Sequence, residues 1–131
     1  MQLIDHVSIS VADMDTARPF YDAIFQSLGA DKVYDRPSAL GYGVRCNSAE
    51  VFHSCVAIYE SEIANVDDKR HWCFKAKTRA EVDDFYRSGL SHGGRCNGPP
   101  GLRPHYHENY YAAFLYDPHG NRVEAVCHLA E

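Results

Sequence analysis

Three side chains of the sequence have the types and spacing to hold a metal ion. His6 and His71 each lie in a strand-like segment, 65 residues apart, and Glu124 lies within the last such segment. A carboxylate between Val123 and Ala125 is costly to bury unless it is paired or bound to a metal. Two imidazoles and one carboxylate form a ligand set for a divalent metal with open coordination positions. Zn²⁺, Fe²⁺, Mn²⁺, Ni²⁺ and Co²⁺ all accept this set, so the residues leave the identity of the metal open.

Each of the three residues taken alone has a plainer explanation. A single strand histidine usually lies in the core or at its rim, and a single glutamate in a strand is usually exposed. The metal interpretation is favoured because the two histidines are equivalent in a repeat and Glu124 is expected on the same sheet face.

An internal repeat predicts the elements that would position these side chains. Shifted by 65 residues without gaps, His6 maps onto His71, Asp13 onto Thr78, and the Phe-Tyr pair at 20–21 onto that at 85–86. In each half an alternating strand leads into a helix and then into further strands. We therefore predict two βαβββ modules, at about 1–60 and 70–131, joined by a polar linker at about 61–69 within one domain.

Each module alone leaves a sheet face uncovered, so the two modules are expected to pair about a pseudo-twofold axis. The prediction is an α+β fold with a curved, cup-shaped mixed sheet and helices outside. Alternation assigns a largely polar set to the inner face of the cup: His6, Ser8, Ser10, His53, Cys55, Tyr59, His71, Cys73, Lys75, Glu124, Val126 and His128. Among them, Ser8, Cys73 and Lys75 are candidates to bind substrate, although the solvated rim position is the favoured interpretation of Lys75.

A closing hairpin carries Glu124, and a proline-rich segment precedes it. Strands at Tyr110–Tyr116 and Asn121–His128 flank Asp117-Pro118-His119-Gly120, which suits a type I turn. Before them we predict a loop over 99–109. Loops of this length are often functional.

Four side chains of this loop are candidates for the site. A histidine can exchange protons near neutral pH, so His105 and His107 are candidate acid–base groups. Arg103 and Tyr106 are candidate substrate contacts. The alternatives are a surface loop stiffened by its prolines, or an adventitious metal site at the two histidines.

Composition excludes several classes of function. The net charge of −5 and the lack of long Lys/Arg runs argue against nucleic acid or an acidic membrane as the main partner. No apolar stretch is long enough to span a bilayer, and no signal peptide is recognisable. The five cysteines include no Cys-x-x-Cys pair. Reduced thiols in the cytoplasm are therefore expected.

Two motifs resemble those of the vicinal oxygen chelate superfamily, which includes glyoxalase I, extradiol dioxygenases and bleomycin- or fosfomycin-resistance proteins. The opening Asp5-His-Val-Ser-Ile-Ser-Val, followed by Phe20-Tyr21, resembles the start of these proteins, and the segment from Asp117 to Glu124 resembles their final hairpin. The resemblance implies paired βαβββ modules, a metal held by His6, His71 and Glu124, and chelation of two neighbouring oxygens of a substrate. It also implies a homodimer, whose cups could form within one chain or between two.

One position departs from glyoxalase I, which this chain otherwise resembles and which has a fourth ligand on the last strand of its first module. The offset of 65 puts Tyr59 opposite Glu124, and a slip of two residues would put Ala57 there. Tyr59 is thus a candidate catalytic residue but not a usual ligand. A three-ligand site is the pattern of the extradiol dioxygenases.

The expected function is that of a metal-dependent enzyme acting on a small molecule. A glyoxalase-like lyase or isomerase is slightly favoured. The alternatives are an extradiol-type dioxygenase and a non-catalytic, resistance-type binding protein.

Overall fold

The computed structural model describes all 131 residues and has the predicted α+β architecture of two βαβββ modules. The strands are β1 (His6–Val11), β2 (Lys32–Arg36), β3 (Ala39–Gly43), β4 (Cys55–Glu60), β5 (His71–Lys75), β6 (Arg95–Leu102), β7 (Tyr111–Tyr116) and β8 (Arg122–Cys127), and the helices are α1 (Met14–Ser27) and α2 (Arg79–Ser91). Module 1 comprises β1–β4 with α1, and module 2 comprises β5–β8 with α2. Neither helix has the length and apolar character needed to cross a membrane.

Each module contributes its own four-stranded mixed sheet. The strand orders are β1-β4-β3-β2 and β5-β8-β7-β6, and the first strand of each module runs parallel to the last. No backbone ladder joins β1 to β5. Each module thus has its own sheet, with its first strand at an open edge.

The helices begin at equivalent positions, as the repeat predicts. Asp13 is the N-cap of α1 and accepts a hydrogen bond from the Asp15 amide at 2.9 Å. Thr78 is the N-cap of α2 and accepts one from the Glu81 amide at 3.1 Å. A side-chain oxygen at this position satisfies an amide that has no partner inside the helix.

One hydrophobic core of 19 buried residues spans both modules. α1 packs against α2, and at Gly89 a side chain would collide with Leu115 and crowd Phe20. A buried polar network also crosses between the modules. Tyr21 donates to Asp117 at 2.5 Å, and Asn121 donates to both Asp117 and the Ser10 carbonyl at 2.9 Å. Within one chain the two modules therefore form a single packed unit.

The β7–β8 turn forms as predicted, whereas the preceding loop is shorter than predicted. The Gly120 amide donates to the Asp117 carbonyl at 3.0 Å and closes the turn. β6 continues through Pro99 and Pro100 to Leu102, so the loop starts at Arg103 rather than at Pro99. Proline is tolerated there because β6 is an edge strand whose outward amides need no ladder partner.

Candidate functional site

Glu124 is the buried centre of the candidate site. Its side chain is only 2% exposed, although it points to the sheet face opposite Val123 and Ala125, which lie in the core. The Tyr110 hydroxyl donates a hydrogen bond to Oε1 at 2.6 Å. The other oxygen, Oε2, lies 3.4 Å from Nε2 of His71. Two of the three predicted donors therefore meet within module 2.

The surroundings of Glu124 keep its neighbours neutral. Burial, with the hydrogen bond to Glu124, raises the pKa of Tyr110 well above its usual value. Burial, followed by the charge of Glu124, also raises the pKa of the Cys73 thiol. Cys73 is the ladder partner of Glu124. Both side chains can thus donate hydrogen bonds to the carboxylate without competing with it for a cation.

His6 lies on the same face of the other sheet, but outside this group. Its side chain is 66% exposed, and Nδ1 is 2.6 Å from Oδ1 of Asp5. It borders a pocket of about 290 Å³ in module 1, together with Ser8 and Tyr59. Within one chain, no group of three or more His, Cys, Asp or Glu side chains is arranged to hold a metal. The arrangement of one chain alone does not bring His6 to the other two donors.

The strand register decides which residue of module 1 corresponds to Glu124. Cys73 pairs with Glu124, and its repeat partner Ser8 pairs with Ala57. Tyr59, which the uniform offset had put opposite Glu124, instead pairs with Ser10. Ala57 is thus the module 1 residue equivalent to Glu124. The two modules differ because the chain between the paired residues of the first and last strands is two residues longer in module 2 than in module 1. Module 1 therefore has no side-chain ligand at the equivalent position.

The side chains predicted for the loop form a cluster of rings beside Glu124. Nε2 of His107 is 2.9 Å from Nδ1 of His128, and the Asn109 amide donates to Nδ1 of His107 at 3.2 Å. His107 thus carries its proton on Nε2 when neutral and donates it to His128. Tyr110 packs edge-on against both histidines, with ring centroids 5.5 and 5.3 Å away. The cluster connects solvent to the hydroxyl that holds Glu124.

The remaining predicted residues differ in how available they are. His105 and Tyr106 are exposed and their rings lie 4.3 Å apart, with Tyr106 4.7 Å from Tyr110. Arg103 donates to the Pro99 carbonyl at 2.7 Å and lies over the Phe114 ring, so it braces its own loop rather than reaching outward. Lys75 is exposed, at the opening of a groove of about 760 Å³ beside the edge of β5.

Sequence reasoning missed Tyr110 as a site residue. The signal was the alternation of side chains along a strand. Phe114 is the ladder partner of Glu124, and Tyr110, four residues earlier, lies on the same sheet face as Phe114. Tyr111, with the opposite parity, instead bonds to Asp83 of α2. A face assignment for β7 would have put Tyr110 beside the carboxylate.

Comparisons with known proteins agree with the fold. The model of the glyoxalase/bleomycin resistance protein/dioxygenase superfamily matches residues 3–125, and the chain belongs to that superfamily. No curated protein sequence matches the chain.

Solved structures are similar over nearly the whole chain. A glyoxalase/bleomycin resistance protein from Albidiferax ferrireducens is 27% identical, with a TM-score of 0.75 over 94% of this chain and 96% of that one. A family enzyme from Burkholderia phytofirmans is 21% identical, with a TM-score of 0.66 over 95% and 98% of the two chains. A lactoylglutathione lyase from Agrobacterium tumefaciens is also 21% identical, with a TM-score of 0.61 over 96% and 93%. The last two show likeness of fold alone.

The donors fit a divalent metal in type but are incomplete in number within one chain. Imidazole and carboxylate suit Zn²⁺, Fe²⁺, Mn²⁺, Ni²⁺ and Co²⁺. His71 and Glu124 are close enough to share an ion, and no third His, Cys, Asp or Glu side chain of the same chain completes a group with them.

Proposed function

We propose that this protein is a metal-dependent enzyme acting on a small molecule that bears two neighbouring oxygen atoms. The observation that carries the proposal is the approach of His71 to the buried Glu124, 3.4 Å between Nε2 and Oε2, on the sheet face opposite the core. A divalent metal held there would bind both substrate oxygens and polarise them. Superfamily membership supports this proposal.

We further propose that His6 of a second copy of the chain supplies the third donor. His6 is exposed, and its Nδ1 is engaged by Asp5, which leaves Nε2 free to bind a metal. A carboxylate on the second nitrogen is the usual support of a metal-binding histidine, because it fixes the ring and its tautomer. A twofold dimer would contain two equivalent sites, each with His6 from one copy and His71 and Glu124 from the other.

Tyr110 and the ring cluster have separate roles in this proposal. The hydrogen bond from Tyr110 keeps Oε1 of Glu124 engaged, so that Oε2 is the free oxygen beside His71. The His107–His128 pair lies against the Tyr110 ring and can accept or release a proton at the edge of the site.

Ala57 bears on the reaction class. A glyoxalase-like isomerase would use more than one carboxylate around its metal, whereas Ala57 offers no side-chain ligand or base opposite Glu124. This favours oxygenation of a catechol-type substrate over isomerisation. Oxygen consumption with catechols under Fe²⁺, compared with loss of a hemithioacetal under Ni²⁺ or Zn²⁺, separates the two.

A mixing experiment tests both the ligand set and the sharing of the site. His6→Ala and Glu124→Ala should each bind almost no metal, and His53→Ala, a histidine outside the strands, should bind as much as the unaltered protein. After subunit exchange, mixed dimers of the two deficient variants should contain one intact site. The mixture should then hold about a quarter of the normal metal, since half of the dimers are mixed.

The outcomes separate the alternatives. A mixture as metal-free as its parents contradicts sharing between copies. Normal metal content in Glu124→Ala contradicts the ligand set. The second candidate, a non-catalytic binder, is favoured by the open pocket beside His6. The binder interpretation is supported if purified protein lacks stoichiometric metal and Glu124→Ala leaves ligand binding unchanged.

A further inference from the structure

The pocket beside His6 is kept open by two small residues. Gly41 of β3 pairs on one side with Tyr34 of β2 and on the other with Ala57 of β4. The Tyr34 ring lies across Gly41, where a side chain would collide with it. The result is a flat aromatic surface at the wall of a cavity of about 290 Å³, which suits a small molecule with one ring.

Hydroxyl groups and a cation border this surface. Tyr59 is exposed and lies beside Tyr34, and Arg36 stacks on the Tyr34 ring at 4.8 Å. Burial, with the neighbouring Tyr59 hydroxyl, raises the pKa of Tyr34, so its phenol serves as a neutral hydrogen-bond donor near pH 7. The pocket thus combines a flat apolar surface with polar groups at one end.

Arg45 is the charged group of the pocket that the fold leaves without a partner. It lines the cavity and takes part in none of the ion pairs of the chain. Asp5, the one carboxylate that also lines the cavity, is hydrogen-bonded to His6. An unpaired guanidinium at the edge of a pocket, in a chain of net charge −5, is suited to bind an anion from solution.

We propose that this pocket binds the carboxylate of a small, flat substrate, with Arg45 pairing to the carboxylate and the Tyr34–Tyr59 surface contacting the ring. The substrate of the proposed enzyme is then an aromatic or similarly planar carboxylate whose two oxygens face His6. That the bound carboxylate is a substrate rests on the proposed function. That the pocket binds a carboxylate does not depend on it.

Binding of benzoate tests the pocket without any metal, because benzoate lacks neighbouring hydroxyl groups. Benzoate, benzyl alcohol and inorganic phosphate are titrated into metal-free protein and followed by NMR. Benzoate should bind more tightly than the other two, with shifts confined to the pocket face of the module 1 sheet. Arg45→Gln should weaken benzoate binding roughly tenfold or more, as expected for loss of a charged hydrogen-bond partner, and leave benzyl alcohol unchanged.

Matched variants keep the result interpretable. Arg95→Gln removes a guanidinium stacked on Tyr116 in module 2 and should leave benzoate binding unchanged. Arg45→Lys should retain part of the preference for benzoate over benzyl alcohol, because lysine keeps the positive charge but cannot form the bidentate hydrogen bonds of a guanidinium to a carboxylate. Equal binding of benzoate and benzyl alcohol, equal effects of Arg45→Gln and Arg95→Gln, or tighter binding of phosphate would each overturn the proposal. Purified protein without stoichiometric metal, but with benzoate selectivity intact, would contradict only the proposed enzyme.

Discussion

Each sheet has a row of paired residues that crosses its four strands beside the candidate site. The two rows occupy equivalent positions but place their large and small side chains on different strands. In module 1 the row across β2, β3, β4 and β1 is Tyr34, Gly41, Ala57 and Ser8. In module 2 the row across β6, β7, β8 and β5 is Gly98, Phe114, Glu124 and Cys73. In each row an aromatic ring covers a glycine of the neighbouring strand. In module 1 the ring is on the edge strand β2 and the glycine on β3, whereas in module 2 the glycine is on the edge strand β6 and the ring on β7.

In the proposed dimer, this difference assigns metal binding to module 2 and substrate binding to module 1. Phe114 and Glu124 fill the centre of the module 2 row, and Tyr110 fixes the carboxylate from the side. Gly41 and Ala57 leave the centre of the module 1 row open as a pocket. A duplicated scaffold thus presents a rigid donor face and a receptive face, and a dimer can bring one against the other.

The largest difference expected between the modules concerns the turns that precede their last strands. In module 2 the buried Asp117 accepts from the amides of His119, Gly120 and Asn121 and from Tyr21. Asp117→Ala leaves these buried donors unpaired and should lower the free energy of unfolding by roughly 3–5 kcal/mol. Urea unfolding followed by circular dichroism measures the loss.

Asn47 is the matched control for that prediction. It accepts from the Ala49 and Glu50 amides in the β3–β4 connection of module 1, but it is exposed. Asn47→Ala should cost about 1 kcal/mol or less, because water can replace the lost bonds. Similar losses for the two variants would contradict the view that only the module 2 turn ties the modules together.

The sequence could predict which face of a sheet a side chain lies on, but not which residues pair across neighbouring strands. Strict alternation around Glu124 put it on the open face, and equivalent polar caps located Asp13 and Thr78, because these features depend on neighbouring residues only. The choice of Ala57 over Tyr59 depends on where two additional residues are absorbed after α2, which a gapless repeat does not show. The distance between His6 and Glu124 depends on packing between sheets, which strand periodicity leaves undetermined.

The next prediction weakens the donor face. Tyr110→Phe removes the donor to Oε1 of Glu124 and frees the carboxylate to rotate. Metal affinity should fall roughly 10- to 100-fold, the usual effect of losing a group that orients a ligand. Tyr106→Phe is the control, since Tyr106 touches Tyr110 through its ring but is exposed. Metal titration calorimetry compares the two, and equal affinities would refute an orienting role for Tyr110.

A smaller effect is expected from making module 1 resemble module 2. Ala57→Glu puts a carboxylate at the position equivalent to Glu124 and fills part of the pocket. Metal affinity should rise by about tenfold, or about 1.4 kcal/mol. Benzoate binding should be lost. Ala57→Gln has nearly the same size without the charge, so it should block benzoate without the gain in metal affinity. An unchanged metal affinity in Ala57→Glu would argue that module 1 does not face the metal.

The smallest predicted difference concerns a glutamate that each module supplies to its own helix. Glu60 of β4 accepts from the first amide of α1, Met14, at 2.7 Å, and Glu131 beyond β8 accepts from the first amide of α2, Arg79, at 3.0 Å. Both carboxylates also favour the positive end of the helix dipole. Glu60 is held in place by its ladder with Val11, whereas Glu131 lies outside any strand and loses more conformational freedom when it binds.

Glu60→Ala should therefore cost about 1 kcal/mol of unfolding free energy and Glu131→Ala about 0.5 kcal/mol or less. The double variant should show the sum of the two losses, because the helix ends lie in different modules and share no partner. Thermal unfolding at low and high salt measures the difference, and salt should reduce both losses. Equal losses would show that the strand ladder does not pre-position Glu60, and the modules would then be equivalent in helix capping while still differing at the site.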